Sequence, residues 1–148
     1  MIRNASAVWR GGPGAGEGSV STSSGVIKNA LYSLSSGFGN EPCTSPGEML
    51  AAAEAACISV VFAQELAKAG FRPDTVETSA RIKVEEVESQ WTITAIHLDV
   101  SVQAPDMDPE HFQHVAELAK ARCPITRALK VAVSMDAKFT PLAVHAVV

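Results

Sequence analysis

The chain has 148 residues, with 12 Lys and Arg against 16 Asp and Glu, a formal net charge of −4 and 47% hydrophobic residues. This length fits one domain, 1–148, and the apolar content is enough for an ordinary core, which argues against a disordered chain. No Lys or Arg cluster offers the electrostatic footprint that nucleic acid requires, so no nucleic-acid partner is expected.

The N-terminal stretch reads as a meander of short strands. Residues 6–10 form the first, and a glycine-rich turn follows at Gly11, Gly12, Gly14 and Gly16. Residues 19–23 alternate Ser/Thr with Val and suit a second strand, and 26–31 a third. Residues 33–44 form a loop rich in Ser, Gly and Pro. A helix then begins at Ser45, which is a good N-cap, with Pro46 at the first helical position and Glu48 completing a capping box. It runs through Met49, Leu50, Ala53, Cys57, Val60, Val61 and Leu66 and ends at Gly70. Its middle is apolar on nearly every side. That pattern predicts burial in the core of the molecule or of an assembly, with Cys57 inside and Gln64, Glu65 and Lys68 at an end that reaches solvent.

Residues 76–87 alternate, with Val76, Thr78, Ala80, Ile82 and Val84 on one face. Glu88, Ser89 and Gln90 make a turn, and 91–103 return with Ile96, Leu98, Val100 and Val102 inward, giving a long antiparallel hairpin. Asp108 caps a further helix, with Pro109 at its start, that runs to about Arg122. Pro124 opens a short helix, 124–129, directly after Cys123. A last strand, 131–139, alternates Val131, Val133, Met135, Ala137 and Phe139. The apolar tail, 140–148, is expected to pack on a partner. The order predicts an α+β fold with an antiparallel sheet.

The longest apolar run, 49–63, is broken by Glu54 and falls short of the ~20 residues of a membrane helix. Residues 1–10 lack the apolar core of a signal peptide. A cytoplasmic location without a membrane partner is expected. Three cysteines are too few, and odd in number, for a disulfide scaffold. In a reducing compartment each is a small buried hydrophobe or a working thiol. No paired Cys/His spacing suggests zinc. His97, His111, His114 and His145 read as structural or surface residues; His111 and His114 share a helix face but have no evident third ligand. Cys123 stands where a helix begins, and the unpaired N–H groups there would stabilise its thiolate. Cys57, in mid-helix, gains nothing from its own terminus, and burial would raise its pKa. From the residues alone, two packed cysteines and two reactive ones both remain open.

Two blocks carry a resemblance to a known family. The first is Thr44, Ser45, Pro46, Glu48, Met49 and Leu50, then the alanine-rich stretch to Ala55, Ala56 and Cys57. The second is Cys123, Pro124 and Ile125, closing with Leu129 and Lys130. With Val8, Trp9, Arg10, Gly18, Ser19, Val20, Ser21, Thr22, Ser24, Gly25 and Val26, they resemble the OsmC/Ohr family of thiol-dependent hydroperoxide reductases. The resemblance spans about residues 5–139. It implies an intertwined homodimer, with antiparallel sheets wrapping a long central helix and the active site at the interface. It also implies a reaction: Cys57 attacks a hydroperoxide and becomes a sulfenic acid, Cys123 condenses with it to a disulfide, and an external dithiol, a lipoylated protein in several members, reduces that bond. No metal or bound cofactor is needed, and an apolar pocket favours organic over inorganic peroxide.

Such proteins also use an Arg and a Glu to hold the first cysteine as thiolate. A gap-free reading from Gly25 to Cys57 places Gly37 and Gly47 at those positions. Glu48, Glu54 and Arg127 are the substitutes to weigh: Glu48 as a cap or a support, Glu54 on the same helix face as Cys57, and Arg127 four residues after Cys123. Cys43 is either an alternative resolving thiol or an incidental loop residue. An active peroxidase fits the cysteine pair. The missing Arg and Glu fit instead a divergent member with weak peroxidase activity, acting as a redox sensor or binding an apolar ligand.

Overall fold

A computed structural model describes residues 1–34, 42–105 and 107–141. The chain divides into two compact units, Met1–Leu50 and Ala51–Val148. The first holds a three-stranded antiparallel sheet in the order β1 (Ala5–Arg10), β2 (Glu17–Thr22) and β3 (Ala30–Tyr32). The third strand is shorter and later than the expected 26–31. The reason is local: Gly25 at φ 74° and Asn29 at φ 51° turn the chain, so pairing resumes only at Ala30. Trp9 packs on Tyr32 with ring centroids 5.9 Å apart. The Tyr32 ring lies so close over Gly18 that a Cβ there would sit 2.5 Å from it.

Helix α1 (Pro46–Lys68) starts where its caps dictate. The Glu48 N–H donates to Ser45 Oγ at 3.2 Å, and the Ser45 N–H donates back to Glu48 Oε2 at 3.1 Å, which is a complete capping box. Loss of the Ser45 hydroxyl leaves an N–H of the first turn unpaired. The Ser45→Ala protein is therefore expected to lose about 1 kcal/mol, read as a lower denaturation midpoint. At the other end Gly70, at φ 90°, closes a Schellman motif: its N–H bonds the Ala67 carbonyl at 3.1 Å, and the Phe71 N–H bonds the Leu66 carbonyl at 2.9 Å.

The second unit carries a sheet ordered β4 (Thr75–Val87), β5 (Gln90–Ala104), β6 (Val133–Pro141), together with α2 (Pro109–Arg122) and α3 (Pro124–Ala128). The β4–β5 hairpin turns on two residues, Glu88 and Ser89, at φ 49° and 62°. Positive φ at both central positions is the geometry whose right-handed twist matches the strands. The expected antiparallel sheet needs one correction: β6 runs parallel to β5. A parallel neighbour requires a long crossover, and the α2–α3 segment between the two strands supplies it.

The core joins Ile58, Phe62 and Leu66 of α1, the alternate residues Ile96, Leu98, Val100 and Val102 of β5, and Phe112, Val115 and Ala119 of α2. A chain of aromatic rings, Phe62 to Phe112 at 5.6 Å and Phe112 to Phe139 at 5.5 Å, links α1, α2 and β6. Asp108 caps α2 as expected, its Oδ2 accepting from the His111 N–H at 2.9 Å.

Two expectations for α1 are revised. Its 23 residues are long and apolar enough to cross a membrane by length and composition, contrary to the count of its apolar run, yet Ile58, Phe62 and Leu66 are wholly buried in the unit's own core. Within the chain the helix is also covered on one side only: Ala52, Ala53 and Ala56 are exposed, and Val60 is 58% exposed. Nor does Glu65 reach solvent. It is buried because its two oxygens accept from Lys68 Nζ and an Arg122 guanidinium nitrogen, each at 2.6 Å, and these cations hold its carboxyl below the usual range.

Candidate active site

Cys57 occupies the middle of α1, and Cys123 the joint between α2 and α3. Cys123 ends α2, its N–H still bonded to the Ala119 carbonyl at 3.1 Å. Pro124 cannot continue that ladder and holds Cys123 extended, at φ −62° and ψ 119°, so the chain turns and restarts as α3. The restart points Cys123 inward, where it is wholly buried. Cys57 is half-buried and packs against the same core. The two thiols, remote in sequence, come together in one unit: both pack in the same core, and the Cys123 thiol acts on Cys57.

Around Cys57, burial and the Cys123 thiol push its pKa up, and the charges of Cys123 and Glu54 push the same way. Among the described residues, the Ile125 backbone N–H is the one influence that favours the Cys57 thiolate, so the first turn of α3 acts on Cys57. No cation is among the groups acting on Cys57 among the described residues.

Of the substitutes, Glu48 is committed to the cap and also accepts from Thr44 Oγ1 at 3.1 Å. Arg127 is exposed, and no ion pair of the described residues includes it. Gly47 lies in the first turn of α1, and Gly37 falls outside the described residues. Glu54 is the one drawn in. It is wholly buried, its Oε1 accepts from Thr126 Oγ1 of α3, and its Oε2 has no hydrogen-bond partner among the described residues. Thr126 was not singled out from the sequence. Its signal, a hydroxyl three residues after Cys123, becomes meaningful only once α3 is seen to pack beside Glu54.

Cys43 belongs to the other unit, next to the bridge between Tyr32 and Thr44. His111 is exposed and packs edge-on against Phe71, with centroids 5.9 Å apart. His145 and residues 142–148 of the apolar tail lie outside the described residues. His97, read as a surface residue, stands with Asp99 and Asp136 on the outer sheet face, where their ligand atoms lie within 4.8 Å of one another. These groups are tied within the sheet: His97 Nδ1 to Ser134 Oγ at 2.7 Å, and Asp99 to Arg81 at 3.0 Å.

The family model described as OsmC-like protein matches residues 38–138. Peroxiredoxin OsmC of Escherichia coli (strain K12) is 36% identical over 128 residues, which are 86% of this chain and 90% of that protein. Among solved structures, an OsmC-like protein of unknown function from Vibrio cholerae superposes with a TM-score of 0.76 at 16% identity, covering 93% of this chain and 99% of that one. The organic hydroperoxide resistance protein OhrB of Bacillus subtilis gives 0.64 at 22%, covering 93% and 98%. These likenesses establish the expected α+β architecture.

Proposed function

The chain belongs to the OsmC-like protein family, and from that premise we propose that it is a two-cysteine peroxidase that reduces organic hydroperoxides. Hydroperoxide reduction is the activity at family level, in keeping with the name of the Escherichia coli relative. The observation that carries the finer reading is the meeting of Cys57 and Cys123 in the core of one unit, where the Cys123 thiol acts on Cys57. In the proposed cycle the Cys57 sulfur attacks the peroxide and becomes a sulfenic acid. Cys123 displaces water from it to form a disulfide, and an external dithiol, of the kind a lipoylated protein carries, restores both thiols. Apolar surroundings favour organic substrates, and the reducing cytoplasm suits a cycle that runs on free thiols.

The assembly that suits this reading is a homodimer. The uncovered side of α1, with Ala52, Ala53, Ala56 and Val60, is an apolar helix face of the kind a second copy buries. Light scattering at micromolar concentration is expected to give twice the 15.5 kDa of the chain; a monomer rejects the dimer.

A second reading, a redox sensor with weak turnover, is favoured by the raised Cys57 pKa and the absence of a cation among the groups acting on it. Decay of cumene hydroperoxide in the presence of a dithiol separates the two. Catalytic decay that disappears in Cys57→Ser supports the peroxidase. Stoichiometric consumption of one equivalent, without turnover, supports the sensor.

A further inference from the structure

Helix α1 buries two carboxylates and treats them differently. Glu65 has both oxygens occupied by cations. Glu54, wholly buried, has Thr126 on one oxygen, and among the described residues no hydrogen bond reaches the other and no ion pair includes it. A buried carboxylate without a cation is costly, and α1 carries it three residues before Cys57, on the same face. The first turn of α3 meets both side chains: the Ile125 N–H reaches Cys57, and the Thr126 hydroxyl holds Glu54. The Glu54 charge acts on Cys57, which places the carboxylate in the neighbourhood of the thiol.

Cys57 has a corresponding need. Burial and neighbouring groups keep it protonated at neutral pH, and no cation acts on it among the described residues. A protonated thiol is a poor nucleophile. Its proton must leave before attack, and the alkoxide expelled from a hydroperoxide must gain one.

We propose that Glu54 is the proton carrier of the peroxide reaction, with Thr126 as its positioning residue. This rests on the peroxidase reading. The Cys57 S–H proton passes to the Glu54 carboxylate as the sulfur attacks the outer peroxide oxygen. The S–O bond forms and the O–O bond breaks. The departing alkoxide takes the proton from Glu54 and leaves as alcohol. Sulfur is oxidised by two electrons, the peroxide is reduced by two, and Glu54 returns to its starting carboxylate.

The test compares wild type, Glu54→Gln and Thr126→Val in the full chain, by two readouts on Cys57. One is alkylation by iodoacetamide across pH, which reports thiolate and whose iodide leaving group needs no proton. The other is single-turnover oxidation by cumene hydroperoxide. Among the described residues the titratable groups acting on Cys57 are Cys123 and Glu54, so removal of the Glu54 charge should move alkylation to lower pH. Oxidation should nevertheless slow roughly 100-fold, the usual scale for a lost general acid–base group. If Glu54 is only an electrostatic neighbour, Glu54→Gln oxidises as fast as wild type or faster, and the proposal is overturned. Should Glu54→Gln fail to fold, Thr126→Val decides: it keeps the carboxylate and loses the hydroxyl that aims it. Oxidation about 10-fold slower supports the proposal, and the wild-type rate overturns it. A wild type whose Cys57 never oxidises sinks the peroxidase reading itself, a different outcome from either.

Discussion

Replacing Cys123 with Ser is expected to stop peroxide turnover after one equivalent. The Ser hydroxyl fills the same buried place beside Cys57 but cannot condense with a sulfenic acid. Cys57 then accumulates one oxygen and, with excess peroxide, a second, which a dithiol cannot remove. In the wild type the same equivalent of peroxide should yield a Cys57–Cys123 disulfide, with Cys43 left free, on peptide mapping. A disulfide needs Cα atoms within about 7 Å, and the packing of both cysteines in one core is what makes this pairing the expected one. Intact mass spectrometry distinguishes the outcomes: oxygen adducts in Cys123→Ser, and loss of two hydrogens in the wild type. A Cys123→Ser protein that turns over at the wild-type rate would show that another thiol resolves the reaction.

Phe62→Ala is expected to cost about 3–5 kcal/mol. Phe62 is wholly buried, and its ring begins the chain of contacts through Phe112 to Phe139 that ties α1 to α2 and β6. Removing it leaves a cavity among neighbours set by three different elements, which cannot all collapse inward. Because a typical domain has only about 5–15 kcal/mol of stability, urea unfolding should shift strongly. Val60→Ala, two residues earlier but 58% exposed in the chain, provides the contrast. Its cost should be small in a monomer and larger wherever a second copy covers that face. A Phe62→Ala midpoint equal to wild type would mean that the ring chain contributes little to the fold.

Burial and the Cys123 thiol hold Cys57 above its ordinary pKa, and no cation acts on it among the described residues. An enzyme in that position gains rate by moving the proton at the moment of attack rather than by storing a thiolate beforehand. Glu54 is the buried acid placed to do this.

Local signals in the sequence determined much of the molecule. Ser45, Pro46 and Glu48 set the start of α1, Gly70 its end, and Asp108 and Pro109 the start of α2, because caps and turns act over three or four residues. Strict alternation marked Ile96, Leu98, Val100 and Val102 as the inner face of β5, where they are now buried. The two cysteine blocks carried the family, and with it the pair to examine. What depended on distant residues was settled only by tertiary structure. The parallel pairing of β6 follows from the path of the crossover, which no local signal announces. Glu54 and Glu65 are both acids in an apolar helix, and the sequence near them separates them only by Lys68, three residues after Glu65. Their fates differ because Arg122 of α2 joins Lys68 on Glu65, whereas among the described residues Thr126 alone hydrogen-bonds Glu54. The same non-local packing lets the Ile125 N–H act on Cys57. A side chain's electrostatics are decided by whatever lies within a few ångströms, and in a folded chain those neighbours come from elements far apart in sequence.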